Sequence, residues 1–246
     1  MKKNVYDIES EVESFHWWFV VRKKLLRKLL TSLDLPSAYL VLDIGCGVGS
    51  NLETIKAAGF NVVGLDRSIY ALCLIRKKLK FPLINGDLNT LPIKPTSLGL
   101  VLALDVLEHL ERDMNGIYEI YKILKKGGIL ILTVPAFKFL WGIQDNVSGH
   151  KRRYSRKEVL EKLEQAGFEI LRSSYFNFFL FFPILIGRRL IHLLDLRIRS
   201  ENEINSPLVN LFFKVIFSIE LYALKYFPFP FGVSILCIAR KGKKIL

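Results

Sequence analysis

The sequence predicts an α/β fold, a doubly wound and mostly parallel sheet with helices on both faces. Three observations predict it. Short apolar runs alternate with segments of helical periodicity of about ten to fifteen residues. One run ends in closely spaced glycines and leads straight into a helix. Acidic residues stand at the ends of the following runs, where sheets of this class place their ligands.

Taken in order, residues 1–36 begin with an acidic stretch. Phe19, Leu25, Leu26, Leu29 and Leu30 then form a helical stripe with a basic opposite face, ended by Pro36. AYLVLDIG (38–45) is a continuous apolar run closed by glycine, the pattern of a buried parallel strand. SNLETIKAAGF reads as a helix with Ser50 as N-cap and Gly59 as its stop. NVVGLD (61–66) is a second strand, 68–80 a basic helix, FPLINGD (81–87) a third strand and LGLVLALDV (98–106) a fourth. A helix over 113–125 runs into Lys125-Lys126-Gly127-Gly128, and GILILTVP (128–135) is the fifth strand. A helix over 155–167 is stopped by Gly167; FEILRSSYF (168–176) and GVSILCIARK (232–241) are the last strands. Between them, residues 177–231 break the alternation, hold 10 of the 18 Phe, and read as an insertion of two or three helices.

With 51% apolar residues the chain has material for a sizeable core. The net charge of +13 points to an anionic partner: nucleic acid, a membrane surface or a phosphorylated substrate. The three cysteines, Cys46, Cys73 and Cys237, are too few and too widely spaced for a disulfide framework or a metal site, so no metal is expected and a reducing cytosol is the natural compartment. No apolar run follows the N-terminal lysines, so no signal peptide is expected. No window of 18 uninterrupted apolar residues marks an ordinary transmembrane helix.

The strongest motif is Leu42-Asp43-Ile44-Gly45-Cys46-Gly47-Val48-Gly49. Glycine lets the chain turn sharply and lets backbone approach a ligand, and the following helix N-terminus offers free N–H groups to a carboxylate or phosphate. Asp66 closes the next strand, where an acid can accept from ribose hydroxyls. A dinucleotide is one reading, but the spacing departs from its G-x-G-x-x-G pattern, with Ser50 after Gly49. Gly86-Asp87-Leu88 ends the third strand, and Asp105-Val106-Leu107-Glu108-His109-Leu110 follows the fourth.

Together these residues resemble the class I S-adenosylmethionine-dependent methyltransferases, in particular their type 11-like small-molecule branch, over roughly residues 38–176. The resemblance implies a Rossmann-like seven-stranded sheet of order 3-2-1-4-5-7-6 with the last strand antiparallel. It implies S-adenosylmethionine as cofactor and S-adenosylhomocysteine as product. Asp43 and the backbone of Gly45 and Gly47 would lie against the methionine part, with Cys46 and Arg67 in the same two loops. Asp66 would bind the ribose hydroxyls, Asp87 the adenine amino group, with Leu88 beside the ring, and Asp105 would line the sulfonium side. Plain turn chemistry is the alternative for Asp66 and Asp87. The resemblance implies a helical lid over 1–36 and a cofactor-binding domain over 37–176 and 232–246, with the insertion over 177–231, read from the broken alternation, as a third part.

On the acceptor side, His150 lies in the segment Asp145 to Tyr154 after the fifth strand and is a candidate base; His109 is its rival. Lys151, Arg152, Arg153, Arg156 and Lys157 read either as an anion site or as a solvated basic loop. Trp18 and Arg22 in the lid, with Arg153 and Tyr154, are candidate substrate contacts; helix-to-sheet packing is the alternative for the tryptophans. The insertion is greasy rather than charged. It reads as a membrane-surface element or a wall for a lipid-like substrate, as extra core or a substrate lid, or as a homodimer interface. The leading expectation is methylation of a small lipid-like, prenyl-linked or glycan-linked acceptor at the inner face of the membrane. An RNA methyltransferase, an inactive cofactor-binding membrane protein and a dehydrogenase are the alternatives; nucleic acid is not favoured, because the most unusual segment is hydrophobic.

Overall fold

The computed structural model describes residues 3–33, 35–194, 200–201 and 206–242. The ends of the expected lid and last domain segment, and parts of the insertion, lie outside the described residues.

The sheet consists of β1 (Leu40–Ile44), β2 (Asn61–Asp66), β3 (Leu83–Asn85), β4 (Leu98–Leu104), β5 (Leu124–Pro135), β6 (Phe168–Phe176) and β7 (Ser234–Lys241). Their order is β3-β2-β1-β4-β5-β7-β6. The pairs among β1 to β5 are parallel, and β7 runs antiparallel to both β5 and β6. Six of the seven residues of β4 are buried, as its continuous apolar run requires for a strand covered on both faces. The helices α3 (Leu52–Ala57), α4 (Ile69–Lys78), α5 (Asp113–Ile123), α6 (Ile143–Ser148) and α7 (Arg156–Gln165) connect the strands.

Boundaries differ from expectation where local chemistry differs. Asn51, not Ser50, precedes α3, and neither side chain caps it. β5 starts at Leu124, ahead of the paired glycines, because Leu98 already pairs with Leu124 before the register shifts.

The N-terminal segment forms two helices, α1 (Lys3–Val12) and α2 (Trp17–Ser32). On α2, Val21, Leu25, Leu26, Leu29 and Leu30 are buried, while Phe19 is only half-buried. On α1, Val5 and Tyr6 face inward, and Lys78 of α4 donates to the Ser10 hydroxyl at 2.6 Å.

The insertion supplies α8 (Phe181–Leu193) and α9 (Pro207–Tyr226). By length and composition α9 could cross a membrane, which an uninterrupted-run criterion overlooks. Yet one face is committed to the protein. Phe217, Glu220, Leu221 and Leu224 are buried, and Glu220 accepts from the backbone N–H groups of Asn177, Phe178 and Phe179. Asn210 accepts from Trp17 N–H at 2.6 Å and donates to the Phe15 carbonyl at 3.0 Å, pinning α9 to the link between α1 and α2.

Candidate functional site

At the carboxyl end of the sheet a cavity of about 770 Å³ opens between the strand ends, α1, α2 and the insertion. Its floor is the loop after β1. Gly45, Gly47 and Gly49 all have positive φ. A Cβ at Gly45 would meet a Val106 methyl at 2.6 Å, so only glycine fits that approach. Asp66 ties the loop to the next one, accepting from Gly47 N–H at 2.9 Å and Ser68 N–H at 2.7 Å. Burial raises the Asp66 carboxyl above its usual range against those two bonds.

Thirteen of the fifteen side chains and loop positions singled out from sequence line this cavity. They are Gly45, Cys46, Gly47, Asp66, Arg67, Asp87, Leu88 and Asp105, with Trp18, Arg22, His109, His150 and Arg153. Asp43 does not. It is buried outside the lining with Oδ2 unpartnered, and burial, then the Asp66 charge, pushes it up to about 7. Tyr154 does not either: it is 1% exposed and donates to Asp113 at 3.0 Å, so it braces α5 rather than meeting a substrate.

Asp87 accepts from both the backbone and the side chain of Asn89 at 2.8 Å through one oxygen, combining the turn and lining roles. Asp105 adopts a left-handed conformation at φ 57° just past β4. It is ion-paired to Arg22 of α2, and both bond Thr133 of β5. Arg22 therefore closes the N-terminal helices onto the sheet. It also lies 5.0 Å from the Trp18 ring, which stacks on Phe176 and Phe217. The tryptophan pair is thus both packing and lining.

Beyond Asp105 the wall becomes a polar network. His150 Nδ1 is 2.8 Å from Asp145 Oδ1, and Arg153 grips Asp145 through Nε and Nη2 at 2.8 and 3.0 Å. Burial opposes ionisation of Asp145, but these bonds win and hold its carboxyl well below the usual range. His109 packs edge-on against His150, and burial, then His150, lowers it to about 4. Glu108 is fully buried, and burial, then Asp105, raises its carboxyl well above normal.

Four of the five cations of the basic run are taken up in separate ion pairs. Lys151 pairs with Glu111, Arg152 with Asp113, Arg153 with Asp145 and Lys157 with Glu161. Residues the sequence did not assign to the site include Tyr6 and Glu9 of α1, Glu108, Asp145 and Arg188. Spacing of Val5, Tyr6, Ile8 and Val12 was the available signal for α1. Arg188 of α8 bonds Glu201 at 2.7 Å and carries no short-range signal. Pro183, Ile184, Ile191, Val209 and Phe213 give the insertion's side of the cavity an apolar stretch beside Asn177 and the paired Arg188 and Glu201.

The description "Methyltransferase domain" matches residues 42–132. A Mycolicibacterium smegmatis protein described as a probable S-adenosylmethionine-dependent methyltransferase is 29% identical over 53% of this chain and 52% of its own length. The sterol 24-C-methyltransferase of Candida albicans is 30% identical over 58% of this chain and 43% of its own. The chain thus spans about half the length of these curated relatives. Among solved structures, the complex between the Haloferax volcanii Trm112 methyltransferase activator and its candidate methyltransferase aligns with a TM-score of 0.64 at 17% identity, covering 97% of this chain and 98% of the other, a likeness of fold.

Proposed function

We propose that this chain, which belongs to the class I S-adenosylmethionine-dependent methyltransferase family, transfers a methyl group to an acceptor with an apolar, lipid-like body. The family uses S-adenosylmethionine, and the residues present fit it. The glycine loop gives close backbone approach; Asp66 keeps lone pairs beyond its two backbone bonds; Asp87 keeps an oxygen without a partner. When bound, the cofactor supplies an electrophilic methyl group. The chain's own residues hold it, seat the acceptor in line and exclude water. Arg22 and the helices α1 and α2 serve as the lid, and His150, held by Asp145, is the group best placed to take an acceptor proton.

One observation carries the acceptor class: the cavity runs from the glycine loop to a mostly apolar wall built by α8 and α9, whose outer faces are exposed and apolar. Phe182, Ile186 and Leu190 recur at helical spacing on α8, and Phe212, Ile219 and Tyr222 on α9, each 48–69% exposed. Lys28 lies 3.8 Å from the Tyr222 ring, so a cation flanks this face. A helix pair of this kind suits the headgroup region of an anionic bilayer, which supports a reading at the inner membrane face. The sterol methyltransferase relative acts in its name on a lipid, which agrees with the reading.

The test is transfer of isotope-labelled methyl from S-adenosylmethionine to a total lipid extract, with total RNA in parallel. Label in the organic phase supports the reading; label only in RNA, or in neither, contradicts it.

A further inference from the structure

We propose that Glu108, His109 and His150 form a divalent-metal site on the acceptor side of the cavity. Each offers one ligand atom, and these atoms lie within 4.8 Å of one another, with His150 Nε2 3.9 Å from Glu108 Oε1. Ligands around a metal at ~2.1 Å stand roughly 3.0–3.5 Å apart, so small side-chain rotations close the set.

Two independent observations favour a ligand there. Glu108 is 0% exposed, and neither carboxylate oxygen has a hydrogen-bond partner. A buried carboxylate in that state is costly, and a cation at its side removes the cost. Both imidazoles are also oriented from behind. Asp145 Oδ1 takes the Nδ1 side of His150, leaving Nε2 toward Glu108, and the Gly149 backbone takes a hydrogen bond from His109. Metal-ligating histidines are held in this way, by a carboxylate or carbonyl on the second ring nitrogen. Arg153 and Gly142 N–H fix Asp145 in turn.

Two imidazoles and one carboxylate suit zinc, iron(II) or manganese(II), with the remaining positions open to the cavity. With the ion bound, His150 Nε2 is a ligand, and an ion-bound hydroxide takes over the proton-accepting role that the free imidazole would fill. All three residues line the same cavity as Asp105, so the ion would face the cavity interior. Sequence spacing hid the site, because its ligands come from two separate loops and no cysteine takes part. The site stands whether or not the acceptor is a lipid.

The experiment uses untagged, chelator-stripped full-length protein titrated calorimetrically with Zn²⁺ and, separately, Mn²⁺. Native chain, Glu108→Gln, His150→Ala and Asp145→Asn are compared, and S-adenosylmethionine binding is measured on every sample as the sign of an intact fold. One equivalent should bind the native chain. Binding should vanish in Glu108→Gln and His150→Ala and weaken 10–100-fold in Asp145→Asn. The absorption spectrum of the Co²⁺-loaded native chain gives a readout free of variants: ligand-field bands of a low-symmetry site are expected. Three results would overturn the proposal: no native binding tighter than millimolar while the cofactor still binds, stoichiometric binding unchanged in His150→Ala, or a Co²⁺ spectrum like that of the aqueous ion.

Discussion

Asp43 and Asp66 end neighbouring strands, yet the chain treats them differently. Asp66 has two backbone donors and faces the cavity; Asp43 is buried with one oxygen unpartnered and pushed up to about 7. A carboxyl raised in the folded state contributes stability fully below its unfolded value near 3.8, and loses it as pH rises through about 7. Asp43→Asn should therefore gain stability relative to the native chain between about pH 4 and 7 and hold a constant difference above. Urea melts across that range check this; a difference that does not change with pH contradicts it. Asp66, Asp87 and Asp105 were legible in the sequence because they close strands in a recognisable order. Tyr154 was not, because its partner Asp113 comes from another element.

Among the elements, the N-terminal helices and α9 show what patterning can and cannot say. The stripe on α2 was readable, and β6 has its expected bounds because its run is sharply punctuated. The polar residues of α9 share no face, so spacing alone could not explain them. Asn210 and Glu220 each answer to a different segment: the link between α1 and α2, and the chain leaving β6. Glu220→Ala leaves three backbone N–H groups without their acceptor, at about 1–3 kcal/mol for each that stays buried. Amide exchange at Asn177, Phe178 and Phe179 should accelerate while β4 stays protected. Unchanged exchange there would mean the insertion is held by its apolar contacts alone. Arg22→Met should weaken cofactor retention, read as a faster dissociation rate, because the ion pair with Asp105 joins lid to sheet. An unchanged rate would remove the lid role.

For the whole molecule, the proposed membrane contact draws on both the charge of +13 and the exposed apolar faces of α8 and α9. Vesicles containing anionic lipid should sediment the protein, and Phe182→Glu with Phe212→Glu should abolish this without lowering the melting temperature, since both side chains are more than half exposed. Retained sedimentation in the double variant would leave only charge as the driving force; a second copy of the chain covering the face would appear instead as a dimer in solution. The fold class and cavity floor were readable because glycine spacing and strand ends carry them; the strand order came through the family resemblance. The insertion's side of the cavity was readable only as greasiness, since its geometry depends on which helix faces turn inward.

The most direct measurement is thermal unfolding of the native chain and Asp66→Ala with S-adenosylmethionine, S-adenosylhomocysteine and NAD. A ligand at ~100 times its dissociation constant adds about 2.7 kcal/mol to the folded state. Stabilisation by the two adenosyl compounds alone, lost in Asp66→Ala, is the predicted result. Stabilisation by NAD, or by none of the three, would contradict the account.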